Sequence, residues 1–492
     1  MKRASSLLLS VVLIGGAVPL AQAASPPPVA QAAQPLVTME DGLRQVIDEA
    51  LAANLELRAS GATVQQRLAA LDQARARYLP VIDFAARYSM ADGGRTIEFP
   101  VGDLLNPVYE TLDQMLVAQG QAPQFPRVQN QSIAFLRDQE QETKLLLEQP
   151  LYEPRIRPAV DATRADAARA EADLAALRSQ VIRDVKQAYY RWIAAQQAVT
   201  VLDATLEATR ENLKANASLY RNGKVTRDLV YRAEADVLEV EQERLATASR
   251  VRIAQSYVNL LRNAPLAQPL PNAALDAATI ERFRARLLAA LAGRQVDAPK
   301  LQDLASQRRE ELKSLDAAIA VGEARQDLAR AAFKPSLAFG AEAGIQGTEY
   351  GFADEDRYVL ASLVLRFNAF RGGADQAALR EARALTEQLR ATRELAGQRV
   401  RLEVQQALEN FEVAEASLDT AAKRAEAADG AFTITSRKRD LGQINQAEFI
   451  DARRAQTDAQ LNVTRVRAEY LARLAELEFS IGDARRLEQE RM

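Results

Sequence analysis

The chain contains no histidine and no cysteine among its 492 residues, so its chemistry rests on carboxylates, lysines and hydroxyls. That excludes disulfide frameworks, thiolate nucleophiles, zinc sites built on Cys or His, and every Ser-His-Asp or Cys-His machine. The most pointed carboxylates are Glu448 and Asp451, which follow a turn at Gly442 and, three residues apart, share one face of a helix. Taken alone they are a solvated pair on a helix surface. No Gly-rich phosphate loop is present, and no carboxylate or Ser/Lys spacing suggests a reacting centre. The sequence therefore predicts no enzyme, no cofactor and no metal site.

Positioning such groups falls to elements of unusual composition. Hydrophobic residues make up 48% but aromatics only 5%, and long stretches of Ala, Leu, Glu, Gln and Arg read as extended helices. The 63 basic and 66 acidic residues are interleaved, giving a net charge of −3, so no nucleic-acid partner is expected. Residues 1–23 read as a secretory signal, with Lys2 and Arg3, an apolar run from Leu7 to Ile14, and the small-residue site Ala21-Gln22-Ala23. Residues 24–36, rich in Pro and Ala, read as a disordered lead-in. No cysteine is available to carry a lipid anchor, and no later run reaches the ~20 apolar residues of a spanning helix.

The chain says most things twice. Asn54-Leu55-Glu56-Leu57 through Tyr78-Leu79-Pro80 is echoed by Arg309-Glu310-Glu311-Leu312 through Phe333-Lys334-Pro335, and Val185-Lys186-Gln187-Ala188 by Val404-Gln405-Gln406-Ala407. These matches define repeats over 37–265 and 300–484, joined by a Pro-containing linker, 266–299, with a short helix, and followed by a tail, 485–492. Within each repeat the order is helix, strand, loop, strand, long helix, turn, helix. From Leu177 the apolar positions Val181, Val185, Ala188, Trp192, Ala195, Val199, Leu202 and Leu206 advance mostly by three and four, a coiled-coil seam. Helices over about 160–221 and 374–440 would each run roughly 90–100 Å, longer than any globular core. Glycines near 223 and 442 mark the tips where each chain turns back.

Strands are predicted over 81–90, 143–152, 336–346 and 358–370. In the first, Ile82, Phe84, Ala86 and Tyr88 alternate with Asp83, Ala85 and Arg87, the weak signature of a strand facing lipid on one side. Four strands cannot close a barrel and open edges are forbidden in lipid, so copies must pool their strands. Residues 91–142, between the first two strands, read as a variable surface loop, with a cap over the barrel mouth as the alternative.

The opening Val37-Thr38-Met39-Glu40-Asp41-Gly42-Leu43, the corners Tyr78-Leu79-Pro80 and Gln149-Pro150-Leu151-Tyr152, and the turns Tyr220-Arg221-Asn222-Gly223-Lys224-Val225-Thr226 and Leu441-Gly442-Gln443-Ile444-Asn445 occur in a fixed order over nearly the whole chain. In that order they resemble the TolC-like outer-membrane efflux protein family. The resemblance implies a mostly α fold with a small β part: long antiparallel coiled-coil helices in an α-barrel, and four strands per chain in a 12-stranded transmembrane barrel shared by a homotrimer. It implies the outer membrane of a Gram-negative bacterium, a large periplasmic part, and a passive conduit serving a tripartite efflux or type I secretion system. The implied partners are a periplasmic adaptor, or membrane fusion protein, an inner-membrane transporter reached through it, and outer-membrane lipid.

By the same resemblance Glu448 and Asp451 match acidic positions ringing the periplasmic entrance, where repeated carboxylates favour cations and allow divalent-ion block. Arg439 and Ile444 depart from the family's Tyr and Arg that tie a closed entrance. The tips Gly223, Lys224, Val225 and Thr226, and Gly442, Gln443, Ile444 and Asn445, expose a glycine backbone and one apolar residue each, suited to docking an adaptor's helical hairpin. The rival reading is a soluble periplasmic coiled-coil scaffold, which leaves the alternating strands unexplained.

Overall fold

A computed structural model describes residues 37–290 and 297–483; the signal segment, the lead-in and the tail lie outside the described residues. Helices α1 (Met39–Ala53) and α2 (Leu55–Ala76) lead into strand β1 (Val81–Met90). An excursion of β2 (Thr96–Phe99), α3 (Val101–Ala118) and β3 (Gln131–Ala134) precedes β4 (Gln139–Tyr152). The first long hairpin is α4 (Ile156–Arg221) and α5 (Arg227–Leu261), followed by α6 (Ala277–Ala290), α7 (Ala298–Arg308) and α8 (Glu310–Ala331). Strands β5 (Ser336–Gly347) and β6 (Arg357–Arg366) then lead to the second hairpin, α9 (Ala374–Asp440) and α10 (Gln446–Ser480).

The sheet is antiparallel throughout, in the order β1-β4-β5-β6. Its register puts Ile82, Phe84, Tyr88, Leu145, Leu147, Val359, Leu363 and Leu365 on one face. That face has no cover: Phe84 is 70% and Val359 81% exposed. The opposite face carries a ladder of charge in which Arg87 lies 3.3 Å from Glu142, and Lys144 lies 2.9 Å from Glu142 and 3.3 Å from Glu342. No helix among the described residues is long and apolar enough to cross a membrane.

Two strands differ from the sequence expectation. β4 begins at Gln139 because Arg87 to Met90 pair with Glu142 to Gln139, extending the ladder into residues whose polarity hides them. β6 stops at Arg366, short of Phe370. There Asn368 and Arg371 turn to Asp375, in the first turn of α9, and Gly372 and Gly373 take positive φ. The 91–142 segment is a built unit. Asn106 accepts from the Val128 N–H and donates to the Val128 carbonyl, both at 2.8 Å, clasping α3 to the segment that leads into β3.

The main core lies midway along the long helices. Val185, Tyr189, Trp192 and Ile193 of α4 pack with Val46 and Ile47 of α1, Val404 and Phe411 of α9, and Leu471 and Leu474 of α10. The seam residues Val181, Val185, Ala188, Trp192, Leu202 and Leu206 are buried. Tyr189, Tyr190 and Ile193 are buried too, although off the seam, because α1 and the linker residues Leu270 to Ile280 form a second layer over α4. The Tyr189 hydroxyl donates to the Pro271 carbonyl at 2.7 Å. Gly42 makes that approach possible, since a Cβ there would stand 2.4 Å from the hydroxyl. Gly42→Ala is therefore expected to lower stability by about 1–3 kcal/mol through overpacking, read as a lower thermal midpoint; an unchanged midpoint would refute this account of the layer.

Candidate functional site

The two helix-to-helix tips carry the groups singled out by sequence. At each tip the helix ends in the same way. The Gly223 N–H bonds Tyr220 O at 2.9 Å and the Lys224 N–H bonds Leu219 O at 3.0 Å. The Gly442 N–H bonds Arg439 O at 2.8 Å and the Gln443 N–H bonds Lys438 O at 2.9 Å. This paired closure needs a left-handed residue, and φ is +65° at Gly223 and +68° at Gly442. Space is open around both glycines, so backbone conformation alone calls for them.

Beyond the glycine the tips diverge. At the first, the Thr226 hydroxyl bonds the Asp228 carboxylate and leaves the start of α5 without a side-chain cap. At the second, Asn445 caps α10 reciprocally with Glu448: its carbonyl oxygen accepts from the Glu448 N–H at 2.9 Å, and its amide donates to the Glu448 carboxylate at 2.8 Å. Glu448 and Asp451 are both exposed, and neither has an ion pair among the described residues. Asp451 has no hydrogen-bond partner there, so it is the freer of the two charges. Arg439 stacks over the Phe449 ring at 4.0 Å and pairs with Asp440 at 2.8 Å.

The apolar surface of the tips differs from the one expected. Val225 and Ile444 are half-buried, whereas Leu441, Tyr220 and Tyr231 are exposed. Leu441 is the C-cap of α9, and the tight glycine turn that follows it swings its side chain outward. A cap position before a Gly is the signal that could have found it.

Just behind the tips lies a feature with no sequence signature. Asp236 of α5 and Arg453 of α10 form an ion pair of 2.5 Å with side chains 2% and 4% exposed. Arg454 approaches the same carboxylate at 3.8 Å and pairs with Glu239 at 2.5 Å. Burial pushes the Asp236 carboxyl above its ordinary range against the pull of Arg453, and burial likewise lowers the Arg453 guanidinium. The pair ties one long hairpin to the other, beside a hydroxyl contact of 3.2 Å between Thr205 of α4 and Thr457 of α10. No group of three or more His, Asp or Glu side chains suited to a metal occurs among the described residues.

A family model described as "Outer membrane efflux protein" matches residues 46–262 and 301–483. Among solved structures, the chain is similar to the CmeC outer membrane channel of Campylobacter jejuni at 15% identity, covering 90% of this chain and 86% of that one with a TM-score of 0.71. It is also similar to the MtrE outer membrane channel of Neisseria gonorrhoeae, in an open state, at 18% identity, with coverage of 90% and 89% and a TM-score of 0.69. For the outer membrane protein VceC of Vibrio cholerae the figures are 16% identity, 90% and 96% coverage, and a TM-score of 0.69. No curated protein matches the chain.

The buried pair yields an expectation independent of function. Asp236→Ala strands Arg453 in the interior and is expected to cost about 3–5 kcal/mol, while Asp236→Leu with Arg453→Met is expected to recover most of that loss. Thermal unfolding of both variants checks it; equal destabilisation would show that the pair has no special place.

Proposed function

The chain belongs to the outer membrane efflux protein family, and from that premise we propose that three copies pool their sheets into one barrel of twelve strands, each β1 edge meeting the β6 edge of the next copy. As a member, the chain is an outer-membrane efflux channel with its helices in the periplasm; it conducts and does not catalyse. The observation that carries the three-copy reading is the sheet itself: an uncovered apolar face, a charged face, and two edges with unpaired backbone. A soluble scaffold would leave that apolar face in water.

In the assembled channel the Arg87, Glu142, Lys144 and Glu342 ladder lines the lumen, and the long helices continue the wall as a tube. The second layer over α4 then lies outside, because inside it would fill the tube. The sequence of helix, two strands and long helical hairpin occurs once through α5 and again from α8 to α10, which supports descent of the two parts from one duplicated unit. The tips point away from the membrane. Gly223, Lys224, Val225 and Thr226, with Gly442, Gln443, Ile444 and Asn445, would meet the hairpin of a periplasmic adaptor, with Leu441 and Tyr220 adding apolar contact. Through the adaptor the tube would serve an inner-membrane transporter, of the efflux or the type I secretion kind.

Glu448 and Asp451 are assigned to the periplasmic entrance, where two carboxylates from each copy attract cations. Their unequal pairing sharpens the test. Asp451→Asn is expected to reduce cation preference and divalent block in bilayer recordings more than Glu448→Gln, since Glu448 already shares its charge with the Asn445 amide. Unchanged selectivity in the double variant would remove both residues from the entrance. The native mass of the chain extracted from outer membrane tests the assembly: three copies are expected, and a soluble monomer or dimer would replace the channel by the scaffold.

A further inference from the structure

At the corner where sheet meets helices, a cavity of about 670 Å³ lies between the end of β4, the start of α4 and the turn from α8 to β5. Strand register fixes which side it opens on. Tyr152, in its wall, pairs with Leu337 across an irregularity after Pro150, and Leu337 pairs with Leu365 of the apolar face. A different cavity of about 870 Å³, walled by Val81 and Glu148 of the charged face, opens on the opposite side of the same corner. Helix α8 presents Asp327 and Arg330 to the first cavity and Arg325 and Leu328 to the second. The first cavity is therefore flush with the apolar face, at its helix-side boundary. It sits beside β4 and β5, the two inner strands, with Tyr78 of the turn before β1 on its rim.

Its chemistry is that of a membrane boundary. Tyr78, Leu151 and Tyr152 are half exposed on the rim, and amphipathic rings of this kind settle at head-group depth. Three cations, Arg157, Arg330 and Lys334, and three carboxylates, Glu153, Asp161 and Asp327, share the wall. Arg330 is neutralised by Asp327 at 2.5 Å, and Asp161 by Arg164 at 2.8 Å, so that Arg157 reaches Asp161 only at 3.9 Å. Lys334 has no carboxylate partner among the described residues, and the Glu153 carboxylate accepts only the Arg155 N–H, at 3.2 Å. The site thus offers a loose cation pair, Lys334 and Arg157, and one loose carboxylate, Glu153, within one cavity.

We propose that this cavity binds the head group of a phospholipid bearing a primary ammonium, such as phosphatidylethanolamine, with the phosphate at Lys334 and Arg157 and the ammonium at Glu153. A purely anionic head group would leave that carboxylate unpaired, and a quaternary ammonium has no N–H to donate to it. The proposal rests on the sheet spanning the membrane, and it adds the lipid that the chain selects there.

The test uses the full chain, purified in detergent, titrated with phosphatidylethanolamine, phosphatidylcholine, phosphatidylglycerol or inorganic phosphate and read by native mass spectrometry. Phosphatidylethanolamine is expected to be retained at roughly tenfold lower concentration than phosphatidylcholine. Lys334→Gln with Arg157→Gln should weaken that retention about tenfold. Glu153→Gln should weaken phosphatidylethanolamine while sparing phosphatidylglycerol. Equal retention of the ethanolamine and choline lipids, retention unmoved by the variants, or competition by inorganic phosphate at equal concentration would each overturn the site while a membrane-extracted trimer stands. Recovery of the chain without detergent from the soluble fraction would overturn the membrane reading and this site with it.

Discussion

Backbone groups buried in lipid must find partners within the protein, and that requirement governs everything else in this molecule. One chain supplies four paired strands and leaves the outer edges of β1 and β6 open. Its apolar face is uncovered and its opposite face carries the paired charges of Arg87, Glu142, Lys144 and Glu342. A sheet so divided suits a closed wall with lipid on one side and water on the other, as in the proposed barrel. On the helix side each strand joins a helix through a short connection, so closing the sheet would also place the helices in a ring.

Along the helices the cohesion changes character. Midway, Val185, Tyr189, Trp192 and Ile193 of α4 share one core with α1 and α10, which pack on α4, and with Val404 and Phe411 of α9, and the linker is fastened by the Tyr189 hydroxyl. Toward the tips the apolar contacts shrink to a satellite of Leu202, Leu206, Val237 and Val240. Polar groups take over there: Asn212 and Asn216, the Thr205 to Thr457 contact, and the Asp236 to Arg453 pair. A buried ion pair holds geometry more than it adds stability, because desolvating both charges offsets most of their attraction. The tip end is thus the part of the helical region with the lowest cost of rearrangement and the mid-level belt the part with the highest.

Two helix-to-helix corners reach the same end by different chemistry. Between α1 and α2, Asn54 caps the second helix through the Glu56 and Leu57 N–H groups and ties the corner to Leu261 O at 2.8 Å. Between α7 and α8 the corner residue is Arg309, which spans Glu311 at 2.9 Å and Glu403 at 3.1 Å and reaches Ser480 O. Both side chains are buried where a helix pair meets the end of a long helix. Each corner needs a polar group to satisfy interrupted backbone, and either an amide or a guanidinium can serve.

The sequence alone determined whatever depends on near neighbours in the chain. The three-and-four spacing from Val181 to Leu206 marks long helices, the alternation from Ile82 to Tyr88 marks a strand with one apolar face, and Gly223 and Gly442 mark the turns, because period and left-handed φ are local properties. Tertiary structure decided what depends on distant partners. The burial of Tyr189 and Tyr190 off the seam comes from a layer formed by the linker and α1. The pairing of Asp236 with Arg453 joins residues 217 positions apart, and nothing in either neighbourhood announces it. The same holds for Glu448 and Asp451: their shared face was legible from spacing, but only the fold showed Asn445 holding one and leaving the other free. Local periodicity fixes an element and its apolar side, whereas the partner of a polar side chain is set by which elements the whole chain brings against it.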